Sequence, residues 1–260
     1  MIKNRFVIFF IIITIITAFT LPVFAAGPVY NWYCVHRNDH KQPTSDHQLS
    51  FINRYGGYYI DKKHGDNDAD KVIYLTFDVG YENGNVEKVL DAMKECEVKG
   101  AFFILENVID KNPELVKRMF DEGHLVCNHT STHKSIVGRG KAEIERELCQ
   151  IEKKCLEVTG SNMSKYFRPP EGKFDETSLM YVNDLGYKTV FWSFAYADWD
   201  NGKQMDTDKA YRKIMDNVHN GEVMLLHPTS ETNAKIMKRV INDLKMQGFR
   251  FGSLDELCKE

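Results

Sequence analysis

The segment that decides our interpretation of the fold is Gly123-His124-Leu125-Val126-Cys127-Asn128-His129-Thr130-Ser131-Thr132-His133. The short apolar run from His124 to Cys127 predicts a buried strand that is entered from the end of a helix. His129 and His133 follow it. If the chain turns helical there, their spacing places both imidazoles on one face, where they can bind one metal ion. In the alternative, His129 caps the strand and His133 is a surface residue.

The composition describes an ordinary globular protein. The chain has 260 residues, of which 43% are hydrophobic and 27% are charged, and this length suits one large α/β domain or two small ones. A net charge of −3 and the lack of a basic cluster give no indication of a nucleic-acid partner. The cysteines have no regular spacing, so they predict no disulfide framework: Cys34, Cys96, Cys127, Cys149, Cys155 and Cys258.

The first 26 residues predict a secretory signal peptide. Lys3 and Arg5 provide a positive start, the segment Phe6–Phe19 is almost wholly apolar, and small residues follow where a signal peptidase would cut. An uncleaved N-terminal anchor is the alternative, because the apolar run is just long enough to span a membrane. In both cases we expect the folded part to be exported to the cell wall or the outer face of the membrane.

The rest of the chain divides into an N-terminal extension, residues 27–70, and a main domain, residues 71–260. The main domain alternates buried strands with amphipathic helices, which predicts an α/β fold with a parallel sheet. We favour a distorted (β/α) barrel with about seven parallel strands over an open doubly wound sheet. The predicted strands are Val72–Phe77, Gly100–Leu105, His124–Asn128, Tyr166–Arg168, Tyr187–Trp192, Glu222–Leu226 and Phe249–Gly252.

Reactive polar side chains follow several of these strands. Asp78, His129, Arg168 and His227 each come at or just beyond a strand end, and Asp198 lies in the loop after the fifth strand. The C-terminal ends of parallel strands form the active face of such folds, so we expect these side chains to converge. Taken singly, each could be a turn or loop residue.

Five ordered motifs in this chain resemble those of the polysaccharide deacetylases, the NodB-homology enzymes of carbohydrate esterase family four. The resemblance covers roughly Lys71 to Leu254, and the stretch from Thr76 to Gly84 is most similar to the delta-lactam-biosynthetic branch. That branch contains muramic-acid de-N-acetylases that act on peptidoglycan, notably of the spore cortex. The motifs are Thr76-Phe77-Asp78, His129-x3-His133, Arg168-Pro169-Pro170-Glu171-Gly172, Asp198-Trp199 and Leu226-His227.

The resemblance implies a metal site and a general base. His129 and His133 would hold a divalent metal, zinc in the first place, with cobalt or manganese as alternatives. Asp78 would be the general base, and Arg168 would keep its carboxylate ionised and oriented.

It also implies a general acid, His227, which would be kept protonated by Asp198. Hydrolysis of an acetamide needs an activated water, a stabilised oxyanion and a protonated leaving amine, so this set of groups suits it.

One position departs from the family pattern. Relatives usually carry a second aspartate directly after the catalytic one as a third metal ligand, whereas this chain has Val79. Water, Asn128 or Glu82 are the candidates for the missing ligand. The delta-lactam branch also tends to lack this aspartate, so its loss does not by itself predict an inactive protein.

Together these observations predict an exported, metal-dependent hydrolase that removes N-acetyl groups from amino sugars of cell-wall glycan. N-acetylmuramic acid of peptidoglycan, on the route to muramic delta-lactam, is the expected substrate. The alternatives are a deacetylase of N-acetylglucosamine polymers and a catalytically inactive carbohydrate-binding domain. We expect a monomer that contacts a membrane only through an uncleaved N-terminal segment.

Overall fold

The computed structural model describes residues 27–259, so the predicted signal peptide or anchor lies outside the described residues. No helix within residues 27–259 is long and apolar enough to cross a membrane. The strands are β1 (Tyr30–Asn31), β2 (Gly57–Tyr58), β3 (Lys71–Val79), β4 (Ala101–Ile104), β5 (Leu125–Asn128), β6 (Ser164–Phe167), β7 (Lys173–Phe174), β8 (Lys188–Val190), β9 (Glu222–Leu226) and β10 (Phe249–Phe251).

Most of the helices lie between consecutive strands of the main sheet. Apolar periodicity in the sequence predicts helices at Lys141–Thr159, Glu176–Asp184 and Glu231–Met246, and α4, α5 and α7 have these bounds. The short helix α2 was not predicted, because one and a half turns give too little periodicity to recognise. The helices are α1 (Val86–Glu95), α2 (Glu106–Lys111), α3 (Pro113–Asp121), α4 (Lys141–Thr159), α5 (Glu176–Asp184), α6 (Thr207–Met215), α7 (Glu231–Met246) and α8 (Leu254–Leu257), with 3₁₀ turns at His47–Tyr55 and Pro170–Gly172.

All seven predicted strands are present and parallel, which confirms the predicted fold class. The pairing order is β3-β4-β5-β6-β8. β10 pairs with the first residues of β3 on the edge that β4 joins further along, and β9 pairs with the opposite edge of β3. The sheet curls because the chain just beyond β8 meets β9: Leu225 N donates to Phe194 O over 2.9 Å. The result is a distorted barrel that closes through a few hydrogen bonds at this seam.

Alternation along β3 decides which side chains face the barrel interior. Leu75, Phe77 and Val79 pack with the surrounding helices in one core cluster, while Tyr74 belongs to the cluster that fills the barrel. Since successive strand side chains point to opposite faces, Asp78 faces the interior and Val79 faces the helices. The sequence predicted Asp78 just after the strand; the structure places it within the strand, because β3 continues to Val79.

The N-terminal extension packs against the barrel beside the ends of its strands. β1 pairs antiparallel with β7, and β2 adds a further parallel strand to β8. Trp32 stacks on Phe191 at 4.4 Å between ring centroids, and its backbone N–H donates to Gly172 O over 2.8 Å. All six cysteines have free thiols.

Candidate active site

A cleft of about 610 Å³ opens at the C-terminal ends of the barrel strands. It holds the predicted residues Asp78, His129, His133 and His227 in its lining. Arg168 and Asp198 lie beneath it, 0% and 2% exposed, each in contact with one of the lining side chains. The remaining lining residues are Gly80, Tyr81, Leu105, Glu171, Gly172, Trp192, Ala195, Tyr196, Trp199, Leu225 and Thr229.

Arg168 holds Asp78 from inside the barrel. Its Nη1 donates to Asp78 Oδ1 over 2.7 Å, although the two residues are 90 positions apart in sequence. The rest of the guanidinium is also satisfied, by Val190 O at 2.9 Å, Thr76 Oγ1 at 2.9 Å and Phe191 O at 3.2 Å. Four hydrogen bonds fix the plane of this group, so Asp78 is oriented with Oδ2 left for another partner.

The charge state of Asp78 follows from this contact. Burial raises the pKa of its carboxyl group, but the positive charge of Arg168 outweighs burial, helped at low pH by His129 and His227 in their protonated forms, and the pKa is lowered from its ordinary value. Asp78 is therefore an ionised carboxylate at neutral pH, with one oxygen free to accept a proton or a hydrogen bond.

His129 is held in one tautomer by the backbone. Its Nδ1 lies 2.8 Å from Arg168 O. A carbonyl oxygen only accepts, so Nδ1 must carry the proton. The lone pair is then on Nε2, which lies 3.6 Å from Asp78 Oδ2. Burial lowers the pKa of His129 to about 4, so the ring is neutral and able to bind a metal ion.

His133 reaches His129 through a loop rather than a helix, so the conditional helical prediction is wrong. Thr130 and His133 have positive φ values of 72° and 58°, which a helix excludes. The turn is stabilised by Asn128 Oδ1, which accepts from Thr130 N at 2.9 Å, and by Thr130 Oγ1, which accepts from His133 N at 2.9 Å. These local hydrogen bonds replace those that a helix would form. The loop nevertheless brings the two imidazole rings together, with 4.9 Å between their centroids.

The two imidazole rings lie close enough for both to approach one divalent metal, so this pair fits such an ion as two of its ligands. Within residues 27–259, no three His, Cys, Asp or Glu side chains are arranged to hold a metal ion. Asn128, a candidate third ligand, is fully buried, and its amide oxygen already accepts from Thr130 N, while its amide nitrogen donates to Leu148 O and Tyr187 Oη. Glu82, the other protein candidate, accepts from the backbone N–H groups of Gly84 and Glu87 at the start of α1.

Asp198 and His227 form the second pair of the cleft. His227 Nδ1 donates to Asp198 Oδ1 over 2.7 Å, and the backbone N–H of His227 donates to Oδ2 over 2.8 Å. Burial lowers the pKa of His227, but the hydrogen bond and charge of Asp198 outweigh it, so the pKa lies above 6.5. With Nδ1 committed to Asp198, the proton that this ring can give up is on Nε2.

Sequence reasoning missed Asn233, which contacts this pair, and Tyr196, which contacts Asn233. Asn233 on α7 donates from Nδ2 to Asp198 Oδ2 over 2.7 Å, and Tyr196 donates its hydroxyl to Asn233 Oδ1. A single Asn in the first turn of a helix resembles any capping-region residue, so no signal in the sequence could have found it.

Aromatic side chains form the outer walls of the cleft. Trp199 is 60% exposed and lies edge-on to His227, with 6.0 Å between ring centroids. Tyr81 is 44% exposed and accepts a hydrogen bond from Asn201 across the rim. Exposed aromatic faces beside two acid–base pairs suit a ligand that has both apolar faces and polar groups, such as a sugar ring.

Comparison with known proteins gives consistent matches. The family model described as polysaccharide deacetylase matches residues 65–190. The peptidoglycan-N-acetylmuramic acid deacetylase PdaA of Bacillus subtilis is 39% identical over 231 residues, which are 88% of this chain and 86% of the relative. The peptidoglycan-N-acetylglucosamine deacetylase PgdA of Listeria monocytogenes is 30% identical over 74% of this chain and 40% of its own length.

The fold comparison agrees with the sequence comparison. The solved structure of Bacillus subtilis PdaA, described as a family 4 carbohydrate esterase, superposes with a TM-score of 0.83 at 38% identity. The match covers 88% of this chain and 96% of that chain. Similarity thus extends over most of the chain in both sequence and fold.

Proposed function

We propose that this chain, which belongs to the polysaccharide deacetylase family, removes N-acetyl groups from N-acetylmuramic acid of peptidoglycan. The reaction would be the deacetylation step on the route to muramic delta-lactam, in cell-wall glycan such as that of the spore cortex. The predicted family resemblance is confirmed; the substrate and the roles of the residues are what we propose here.

The observation that carries the proposal is the pairing of two acid–base groups with opposite pKa shifts at one cleft. Arg168 keeps Asp78 ionised, and Asp198 raises the pKa of His227. A site that holds one group as a base and the other as an acid at the same pH can activate water and protonate a leaving amine in one turnover.

Asp78 acts as the general base in this proposal. Its Oδ2 accepts a proton from the water that attacks the acetyl carbonyl carbon, while Oδ1 stays bonded to Arg168. Arg168 does not touch the water; it fixes the direction of the carboxylate and offsets the cost of burying its charge.

His227 acts as the general acid. When the carbon–nitrogen bond breaks, its Nε2 proton passes to the amine nitrogen, so the sugar leaves as a free amine and the acyl group as acetate. The neutral ring that remains keeps its Nδ1 hydrogen bond to Asp198, which holds Nε2 toward the cleft for reprotonation.

His129 and His133 would hold the divalent metal, zinc in the first place with cobalt or manganese as alternatives. When bound, the ion supplies Lewis acidity to the acetyl carbonyl oxygen and to the attacking water. Two neutral imidazoles without an anionic third ligand bind a dication more weakly than the usual three-ligand zinc site. We therefore expect metal that dissociates readily during purification.

A second candidate is the deacetylation of N-acetylglucosamine, which the similarity to the Listeria monocytogenes enzyme favours. The same residues would perform the same chemistry on either sugar. The inactive-domain alternative is supported by the missing third ligand at Val79, but binding a glycan needs neither the Asp78–Arg168 pair nor the His227–Asp198 pair.

The substrate also sets where the protein acts and what it contacts. Peptidoglycan lies outside the cytoplasmic membrane, so the proposal includes export through the N-terminal segment and action in the cell wall or at the outer membrane face. A monomer suffices, because the base, the acid and the two histidines all come from one chain.

Mass spectrometry of glycan fragments tests the proposal. Purified protein with zinc is incubated with peptidoglycan that carries its stem peptides, with peptidoglycan stripped of them, and with chitin oligosaccharides. Loss of one acetyl group per muramic residue supports the proposal, and formation of the lactam from the stripped glycan supports the full route.

Acetyl loss confined to glucosamine residues would favour the second candidate. No acetyl loss from any of the three substrates, with glycan binding retained, would favour the inactive domain.

A further inference from the structure

Asn233 lies at the centre of a buried hydrogen-bond chain that ends at His227. It is 0% exposed and sits on α7, where Ser230 Oγ accepts from its backbone N–H over 3.1 Å. This capping contact fixes the first turn of the helix and so fixes where the amide projects. Ser230 is itself fully buried, so the anchor does not depend on solvent.

The hydrogen-bond partners assign the orientation of the amide. The two groups near Nδ2 are Asp198 Oδ2 at 2.7 Å and His227 O at 3.1 Å. A carboxylate and a carbonyl can only accept, so the NH₂ end must face them. The oxygen end then accepts from the hydroxyl of Tyr196, which leaves no other orientation that satisfies all three contacts.

The hydrogen bonds of Asn233 fix the positions of Asp198 and His227. Asp198 Oδ2 accepts from Asn233 and from the backbone of His227, so Oδ1 is directed at His227 Nδ1. Because the same amide also donates to His227 O, it holds the backbone of the acid and the carboxylate of its partner at once. Neither Asn233 nor Asp198 has to move for the Nε2 proton to leave.

We propose that Asn233 is a positioning residue for the general acid: its side-chain amide keeps Asp198 directed at His227 Nδ1, so that the exchangeable proton stays on Nε2. Tyr196 in turn orients the amide. The inference rests on the proposed function, in which His227 is the acid. The other charged groups that act on His227 are Asp78 and Arg168, which neither Asn233 nor Tyr196 contacts.

The test is the variant Asn233→Leu, which keeps the branched shape of the side chain but removes all three of its hydrogen bonds. Asn242→Leu on the exposed face of the same helix is the matched control. We expect kcat to fall about tenfold or more with KM changed less than about twofold, because the acid step is impaired and binding is not.

If Asn233 had only a structural role, its loss would not shift the titration of His227. The pH profile therefore distinguishes a positioning role of Asn233 from a structural one. Without the amide donor, the carboxylate of Asp198 is no longer held toward His227 Nδ1. The hydrogen bond and charge that raise the pKa of His227 then weaken, and the opposing effect of burial lowers this pKa. The alkaline limb of kcat and the NMR titration of His227 should both shift to lower pH in Asn233→Leu and stay unchanged in Asn242→Leu.

An unchanged alkaline limb and an unchanged His227 titration would overturn the inference, even if activity falls. Tyr196→Phe is the second variant, in case Asn233→Leu does not fold. It should shift the alkaline limb of kcat and the His227 titration to lower pH as well, but by less than Asn233→Leu. His227→Gln separates the two proposals, because wild-type activity in that variant refutes the acid role itself. If His227→Gln is inactive and Asn233→Leu behaves as wild type, the positioning role alone is refuted.

Discussion

The substitution Asp78→Asn tests the proposed base with little disturbance of the barrel. The new amide oxygen can still accept the hydrogen bond that Arg168 Nη1 donates to Oδ1 over 2.7 Å. The amide nitrogen that replaces Oδ2 cannot accept a proton from water. General-base catalysis contributes about 10² to 10⁴-fold, so we expect the rate of acetyl release to fall by at least about 10²-fold.

The stability cost of Asp78→Asn can be estimated from the same contact. Removing the charge of one partner of a buried ion pair costs about 3–5 kcal/mol, because the other charge is left without an anionic partner. Arg168 keeps its bonds to Val190 O, Thr76 Oγ1 and Phe191 O, and the new amide oxygen accepts the fourth. The variant should therefore lose on the order of 3 kcal/mol of unfolding free energy, less than the roughly 5–15 kcal/mol of a native domain, and remain folded.

Asp70→Asn is a matched control at the opposite end of the barrel. Asp70 also forms an ion pair with an arginine, Arg250, at 2.7 Å, but its side chain is 49% exposed. It directly precedes β3, and eight residue-to-residue steps of extended chain place it about 26 Å from Asp78. Losing an exposed pair should cost about 0–1 kcal/mol and leave activity unchanged.

The assay combines acetate release from stripped peptidoglycan, urea unfolding and calorimetric titration of zinc, on both variants and the wild type. The reasoning is refuted if folded Asp78→Asn deacetylates at the wild-type rate. Equal losses of activity in Asp78→Asn and Asp70→Asn would also refute it. They would mean that losing either Asp–Arg ion pair lowers activity, whatever its distance from the cleft.

Four other predictions concern the pH profile, the metal, Val79 and Glu222. The profile of kcat/KM should be bell-shaped. Its acidic limb should lie near or below pH 4, because the pKa of Asp78 is lowered and that of His129 is about 4, and its alkaline limb should lie above pH 6.5, because the pKa of His227 is raised. An alkaline limb below pH 6.5 would contradict the acid role. Chelation should abolish acetyl release and zinc, cobalt or manganese should restore it, whereas His129→Ala should show no heat of zinc binding; full activity after exhaustive chelation would exclude the metal. Val79→Asp buries a carboxylate among apolar side chains, so urea unfolding should show a loss of about 2 kcal/mol or more without tighter zinc binding; tighter binding would mean that position 79 faces the metal. Glu222 is 0% exposed and burial raises the pKa of its carboxyl group well above 4.5, so the wild type should be progressively less stable relative to Glu222→Gln as pH rises above 4.5, and a difference independent of pH would contradict this.

The barrel could be predicted because its strands are short, apolar and separated by regular helices. The helices α4, α5 and α7 could be placed to the residue, since Thr159 is followed by Gly160, and Asp175 and Ser230 cap the other two. The loop after β5 could not be predicted. The side chains of Asn128 and Thr130 accept hydrogen bonds from the local backbone, which prevents the helix that the histidine spacing favours.

The site was predictable where side chains follow strand ends and not where contacts come from elsewhere. Asp78 lies near the end of β3, and Arg168 and His227 directly follow β6 and β9; the ends of these parallel strands converge by topology alone. Asn233 contacts Asp198 through the packing of α7, which depends on how the barrel closes. The orientation of Val79 follows from strand alternation once β3 is known to extend to that residue, whereas the sequence placed the strand end two residues earlier.

The pairing of β3 has implications for how the protein reaches its native state. One edge of β3 pairs with β4, which follows closely in the chain, and with β10, whereas the opposite edge pairs with β9, which comes late in the chain. The contact from Thr76 Oγ1 to Met224 O joins residues 148 positions apart. Contacts this distant slow folding, and a nascent chain exposes an apolar strand edge until its last quarter is available. Truncation before β9 should therefore yield aggregates rather than a weakened enzyme, and refolding should recover activity and β3 amide protection in the same kinetic phase.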